Sequence, residues 1–191
     1  MAEDGLLTDA EIMLRIAGYD SKALEQLYDR YAPILYTLIK KIVTEKETAE
    51  EILSDVFVIV WKNIDLFDFK TNNVYTWLIM LTRNKAIDVL SRRSDKEMEE
   101  YTSDYEKEKI IPKLSPEIKP VELNEVLEKR EKIVNAVNGL TDAQRYVLEL
   151  SYYGGMYEDE IAGKLKIPVM TVKSKLQVAI GNLMQKLSEV K

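Results

Sequence analysis

Residues 140–176 read LTDAQRYVLELSYYGGMYEDEIAGKLKIPVMTVKSKL, and this stretch decides the fold. Gly154-Gly155 closes one helical run. The spacing then predicts a helix over Glu158–Leu165, a short turn at Lys166-Ile167 and a longer helix from Pro168 to Val190. Pro168 stands at or near the first helical position, where a missing N–H costs little. Ala162 is small where the two helices should cross, and Ile161, Leu165, Ile167, Val172 and Leu176 supply a small core. On the second helix Val172, Leu176, Ala179, Ile180, Leu183 and Leu187 form one stripe. Met170, Thr171, Ser174, Lys175, Gln177 and Val178 lie opposite. Small, polar and basic side chains in the first turns suit a helix that enters the major groove of DNA, as in a helix-turn-helix unit. An ordinary α-hairpin with a solvated outer face is the competing reading of this stretch alone.

Working outward, Thr141 and Asp142 can cap the helix that carries Tyr146, Val147, Leu148 and Leu150. Leu123–Asn138 has helical spacing and ends at Gly139, a C-cap residue type. In the N-terminal half, apolar positions from Leu24 to Ile42 recur every three or four residues, so Asp20–Thr44 reads as helix, with a kink or break at Pro33. Thr48–Ile64 is a second helix. Its run Val56-Phe57-Val58-Ile59-Val60-Trp61 is apolar all round and must be covered on more than one side. Asp65–Asn73 reads as a loop and Val74–Arg93 as a third helix. Ser94–Pro120 changes character, with Pro112, Pro116 and Pro120, many charges and few large apolar residues. That is the composition of a tether poorly ordered on its own. The expected fold is all-α: two small helical domains, 1–95 and 123–191, joined by a flexible acidic linker, 96–122.

The chain has 191 residues, with 7 Gly and 5 Pro, and contains no Cys and no His. Disulfides, thiolate chemistry and His-ligated metal sites fall away, and acid–base catalysis loses its usual residue. With no glycine-rich phosphate loop and no compact acid–base constellation, an enzyme is the least favoured class; no metal and no cofactor are expected. Met1–Asp9 lacks the basic and apolar regions of a signal peptide, and no apolar run reaches the roughly 18–20 residues of a membrane span. A cytoplasmic protein without membrane contact of its own is expected.

The formal net charge is −6, which disfavours tight binding of duplex DNA by the whole chain. The charge is uneven, however. Lys70, Arg83, Lys85, Arg92 and Arg93 face only Asp88 between residues 70 and 93, and the C-terminal stretch from Lys164 is basic again. Asp95–Glu131 is acidic. Two basic islands flanking an acidic strip suggest two anion-binding surfaces.

Residues 140–187 resemble the promoter-binding domain of sigma factors of the extracytoplasmic-function (ECF) type. The blocks that carry the resemblance are Tyr146-Val147-Leu148-Glu149-Leu150, Asp159-Glu160-Ile161-Ala162 and Thr171-Val172-Lys173-Ser174-Lys175-Leu176. Further blocks match in order: Ala23 to Pro33, then Ala49 to Phe57 with Trp61, then Thr76-Trp77-Leu78 followed by Arg83-Asn84-Lys85-Ala86-Ile87-Asp88. The chain departs from the family's pattern at Lys166 and Met170, where glycine is usual, at Lys175, where arginine is common, and at Val178, where a basic residue is common. Lysine lacks the planar bidentate contact that arginine makes to guanine, so the upstream sequence recognised stays open.

The resemblance implies a factor that binds core RNA polymerase, recognises the −35 and −10 promoter elements and starts transcription of a specific gene set. Asp55, Val56, Phe57 and Trp61 would contact the polymerase. Single-stranded downstream DNA would lie on Trp77, Arg83, Asn84, Lys85, Asp88 and Arg92. Asp68, Phe69, Lys70, Asn72 and Asn73 would form the pocket for a flipped base. Arg145, Met170, Thr171, Lys173, Ser174, Lys175 and Gln177 would meet the upstream duplex. An anti-sigma factor is a further implied partner. A stand-alone helix-turn-helix regulator, which needs no polymerase, explains residues 123–191 but leaves the first 95 idle.

Overall fold

The computed structural model describes residues 7–71, 73–94 and 98–188. Among these residues there is helix and no strand. The chain divides into two compact units, Met1–Leu123 and Asn124–Lys191.

The first unit opens with α1 (Asp9–Ala17), α2 (Ser21–Ile42) and α3 (Lys46–Lys62), then a 3-10 turn (Ile64–Leu66) and α4 (Val74–Ser94). The sequence reading began its first helix at Asp20 and passed over α1. Its signal was nevertheless present: Thr8 and Glu11 form a reciprocal capping box, and Ile12, Met13 and Ile16 repeat at helical spacing and are buried. Asp9 fixes this helix to α2, pairing with Arg30 and accepting the Tyr31 hydroxyl.

Of the kink or break expected at Pro33, the break does not occur; α2 runs through it. Proline removes one backbone donor. The helix survives because its apolar stripe is buried on both sides of the proline, at Leu27, Tyr31, Leu35 and Ile39. Each such side chain stabilises by roughly 1.5–3 kcal/mol on burial. In α3, Ala49, Ile52, Val56, Ile59 and Val60 enter the same core, while Val58 stays outside. The all-round apolar run is thus covered on one side and left open on the other.

The segment with tether composition is built onto the first unit. Ser103–Tyr105 makes a single helical turn, α5, that widens into a π turn over Glu106–Ile110. Ile110 and Ile111 are buried. The proline-and-charge reading missed them because two consecutive isoleucines carry no periodicity.

In the second unit, α6 (Leu123–Glu128) and α7 (Arg130–Asn138) stand where one helix was expected. Then come α8 (Asp142–Tyr152), α9 (Glu158–Leu165) and α10 (Val169–Ser188). Thr141 and Gln144 form a capping box at the start of α8. Gly154 ends that helix: a Cβ there would sit 2.5 Å from the Leu150 carbonyl oxygen. Val147, Leu150, Ile161, Ala162 and Val172 form the core, with Met156, Leu165, Ile167 and Leu176 packed around it.

Candidate nucleic-acid interface

The corner between α9 and α10 is a helix-turn-helix corner. Lys166 takes left-handed backbone angles, φ 54 and ψ 44. The Lys166 and Ile167 amides both donate to the Ala162 carbonyl. That closes the last turn of α9 and drops Ile167 into the core. Glycine meets this geometry freely, while a side chain strains it by roughly 1–2 kcal/mol.

Beyond the corner, Val172 and Ala179 anchor α10. Leu176 and Leu183 are half-buried, whereas Ile180 and Leu187, expected on the buried stripe, are exposed. The start of α10 is bare. Met170, Lys173, Ser174 and Gln177 are exposed, with Thr171 and Lys175 half-buried beside them. Lys173 reaches Glu158 at 3.9 Å, both exposed, an ion pair of little strength that phosphates can replace. Arg145 is committed differently. Its guanidinium turns to the Asn138 carbonyl at the end of α7 and to the Leu140 carbonyl just beyond it, at 3.5 and 3.4 Å.

In the first unit, α3 presents Asp55 and Val58 to the outside. Val56 lies wholly in the core and offers no surface. Phe57 is buried and packs its ring on Tyr28 with centroids 4.9 Å apart. Trp61 is half-buried, edge-on to Tyr19. Together Leu24, Tyr28, Phe57, Val58 and Trp61 line a shallow apolar groove of about 330 Å³ between α2 and α3.

The loop before α4 is ordered by Asp68, whose carboxylate accepts the Lys70 amide at 3.0 Å. Phe69 stacks edge-on to Phe67, and Phe67 does the same to Trp77. Trp77 is 2% exposed: it is a core residue here, not an open stacking platform. Asn72 lies outside the described residues. Asn73 is buried, and its amide donates to the Lys119 carbonyl at 3.3 Å.

The face of α4 that carries Asn84, Lys85, Asp88 and Arg92 forms as the spacing predicts, yet it is covered. Lys85 and Asp88 are 7% and 5% exposed. The Lys85 ammonium pairs with Asp55 of α3 at 3.0 Å and donates to the Tyr101 hydroxyl at 3.2 Å. Asp88 holds Arg92 at 2.9 Å and accepts the Tyr105 hydroxyl at 2.7 Å. Asn84 donates to the Ile110 carbonyl at 3.1 Å. The Arg92 guanidinium lies 4.6 Å from the Tyr105 ring centre and 5.2 Å from that of Tyr101. Its bond to Asp88 raises the Arg92 pKa further. Burial first, and the bond to Glu106 second, push the Tyr101 phenol up. Arg83, at the edge of this face, also has a partner.

The second unit thus presents a bare basic-polar helix start after a tight corner, and the first a helix face of paired amide, basic and acidic groups. The family described as Sigma-70 region 2 matches residues 27–96, and Sigma-70, region 4 matches residues 130–189. The chain is 27% identical over 177 residues to the ECF RNA polymerase sigma factor SigK of Mycobacterium sp. (strain KMS), covering 92% of this chain and 89% of that protein. It is 26% identical to SigK of Mycobacterium tuberculosis (strain ATCC 25618 / H37Rv), covering 93% of each. Among solved structures it is similar to Rhodobacter sphaeroides SigE in complex with the anti-sigma ChrR, at 26% identity and TM-score 0.47, covering 93% of this chain and 97% of that one. The chain belongs to the sigma-70 family and is of its ECF type. It is a factor that binds core RNA polymerase and recognises promoters. No described helix is long and apolar enough to cross a membrane.

Proposed function

We propose that the two units divide the work of promoter recognition. The second unit reads the upstream element as duplex. Thr171, Ser174, Lys175 and Gln177 face base edges or nearby phosphates from the start of α10, and Lys173 meets phosphate. Contacts to phosphate place the domain and a few base contacts specify it. Arg145 contributes by holding the end of α7 rather than by reaching DNA. The first unit docks on the polymerase through the outer side of α3, with Asp55, Val58 and Trp61 at the surface and Phe57 bracing the groove. The polar face of α4 holds the opened downstream strand, whose bases need stacking partners and whose phosphates need cations.

The observation that carries this reading is the second of the two surfaces. Asn84, Lys85, Asp88 and Arg92 stand on one face of one helix, joined to the docking helix by the Asp55–Lys85 pair. A stand-alone duplex reader has no use for that arrangement. Making RNA is the polymerase's chemistry, and no residue here needs to act as a catalyst. An anti-sigma factor is the further partner proposed, and the apolar groove between α2 and α3 is a surface it could share with the polymerase. The chain would act wherever core polymerase resides, in the cytoplasm.

Run-off transcription from a cognate promoter with purified core polymerase tests the proposal, with wild-type protein beside an Asp55→Arg variant. Specific initiation by the wild type and its loss in the variant, with the variant still folded, are expected. Tight duplex binding by the isolated chain without any polymerase-dependent initiation would overturn the division.

A further inference from the structure

The residues that should hold single-stranded DNA are not waiting for it. Residues 99–119 lie along α4 and take its polar groups one after another. The Glu99 carbonyl accepts from Arg92 at 2.7 Å. Tyr105 holds Asp88, Tyr101 holds Lys85, and the Ile110 carbonyl holds Asn84. Farther along, the Ile118 and Lys119 carbonyls take Asn73 at the start of the helix. Glu106 ties the segment down from its other side, accepting from Asn63 at 3.1 Å and from the Tyr101 hydroxyl at 2.8 Å.

The chemistry of this cover is that of the ligand expected beneath it. Single-stranded nucleic acid offers flat rings to stack on, acceptors for amide and basic donors, and negative charge. Residues 99–119 offer two tyrosine rings against Arg92, one of them also 4.3 Å from the Lys85 ammonium. They offer carbonyl acceptors to Asn73, Asn84 and Arg92, and the carboxylate of Glu106 behind Tyr101. With Lys85 and Asp88 nearly sealed off, DNA and this segment cannot occupy α4 together.

We propose that residues 99–119 are an autoinhibitory strap that occupies the single-strand site of α4 and must leave before the downstream strand can bind. The proposal rests on the reading of α4 as that site and adds its regulation. The strap's buried apolar anchor is short, Ile110, Ile111 and Pro112; much of the rest of its hold is polar and exchangeable with DNA or water. Binding measured on the closed chain is weakened by the fraction of molecules with the strap open. A polymerase that draws the segment away removes that penalty, so the factor would select opened promoters chiefly once it is docked.

The test uses the full chain and a fluorescein-labelled single-stranded DNA oligonucleotide of random sequence, read by anisotropy at low salt. A Tyr101→Ala/Tyr105→Ala variant, shown by circular dichroism to be folded, should bind about tenfold or more tightly than wild type, and adding Arg92→Ala should remove the gain. Hydrogen exchange on the unsubstituted chain supplies a second reading that needs no variant. With saturating oligonucleotide, amides 101–111 should lose protection while those of α4 gain it. Protection of α4 with 101–111 still protected would overturn the strap and leave the reading of α4 standing. A gain that survives Arg92→Ala, or DNA protection elsewhere than α4, would overturn both. Failure of the released variant to bind better than wild type would overturn the strap.

Discussion

The two helices proposed to meet DNA, α10 and α4, differ in how they stand in the free chain. The start of α10 is largely open to solvent, and its ion pair, Lys173 with Glu158, is long and exposed. The corresponding face of α4 is buried under the protein's own residues 99–119, and nearly every polar group on it has a protein partner. The proposed roles account for the difference through the two forms of DNA. A duplex presents groove edges to a convex helix, so the reader can protrude. An unstacked strand has to be held among rings, donors and cations, so its holder is recessed. A recess with a lysine and an aspartate in it must be satisfied one way or another, because buried charge without partners is expensive. The chain satisfies it internally.

The largest effect that would sharpen this contrast is at Trp77. Trp77→Ala should destabilise the first unit by about 3–5 kcal/mol, the cost of emptying a large aromatic site. Thermal unfolding should show it in the first unit, with no change for the second. A folded variant of normal stability with impaired strand binding would instead make Trp77 an exposed platform. On the open surface, Lys175→Ala should weaken binding to the cognate upstream element by about 1–3 kcal/mol without touching the fold. Competition binding against duplexes with single substitutions would find the base pair it reads, if it reads one.

Lys166→Gly should stabilise the second unit by about 1 kcal/mol, measured by denaturant midpoint, because the left-handed corner then costs nothing. A pH titration of strap protection gives the next expected effect. Tyr101 faces Lys85, Asp88 and Arg92 of α4, Asp55 of α3 and Glu106 of its own segment. Its phenol is raised above the ordinary value of 10.0. The neutral form is therefore favoured in the closed state, and its contribution is complete below that value. It should be lost as pH rises past it, with 101–111 losing protection at alkaline pH; Tyr101→Phe should flatten that loss. Lys173→Ala should matter least, reducing duplex affinity evenly across sequences and the salt slope by about 0.9.

The open region was far more legible in the sequence than the closed one. Glu158, Pro168, Val172 and Ala179 mark the helix-turn-helix by caps, breakers and period, all of them local signals. The face of α4 was legible too, because a helical step places Asn84, Lys85, Asp88 and Arg92 together. What covers it was not. Tyr101 and Tyr105 lie among glutamates, lysines and three prolines, and that average reads as solvated tether. Their role depends on pairs such as Tyr101 with Lys85 and Ile110 with Asn84, whose members belong to different segments. Val56 and Phe57 went the same way: in a helix apolar all round, the sequence does not separate the residues that enter the core from those that face out.

The Asp55–Lys85 pair makes a single account of two surfaces that look separate. A cation brought to Asp55 by a partner on α3 takes away one of the two groups that hold Lys85, and an anion brought to Lys85 takes away the group that holds Asp55. Each binding event thus alters the free energy of the other, and thermodynamic reciprocity makes the factor the same in both directions. With α3 and α4 in the roles proposed for them, that one 3.0 Å contact would tie affinity for polymerase to affinity for the opened strand.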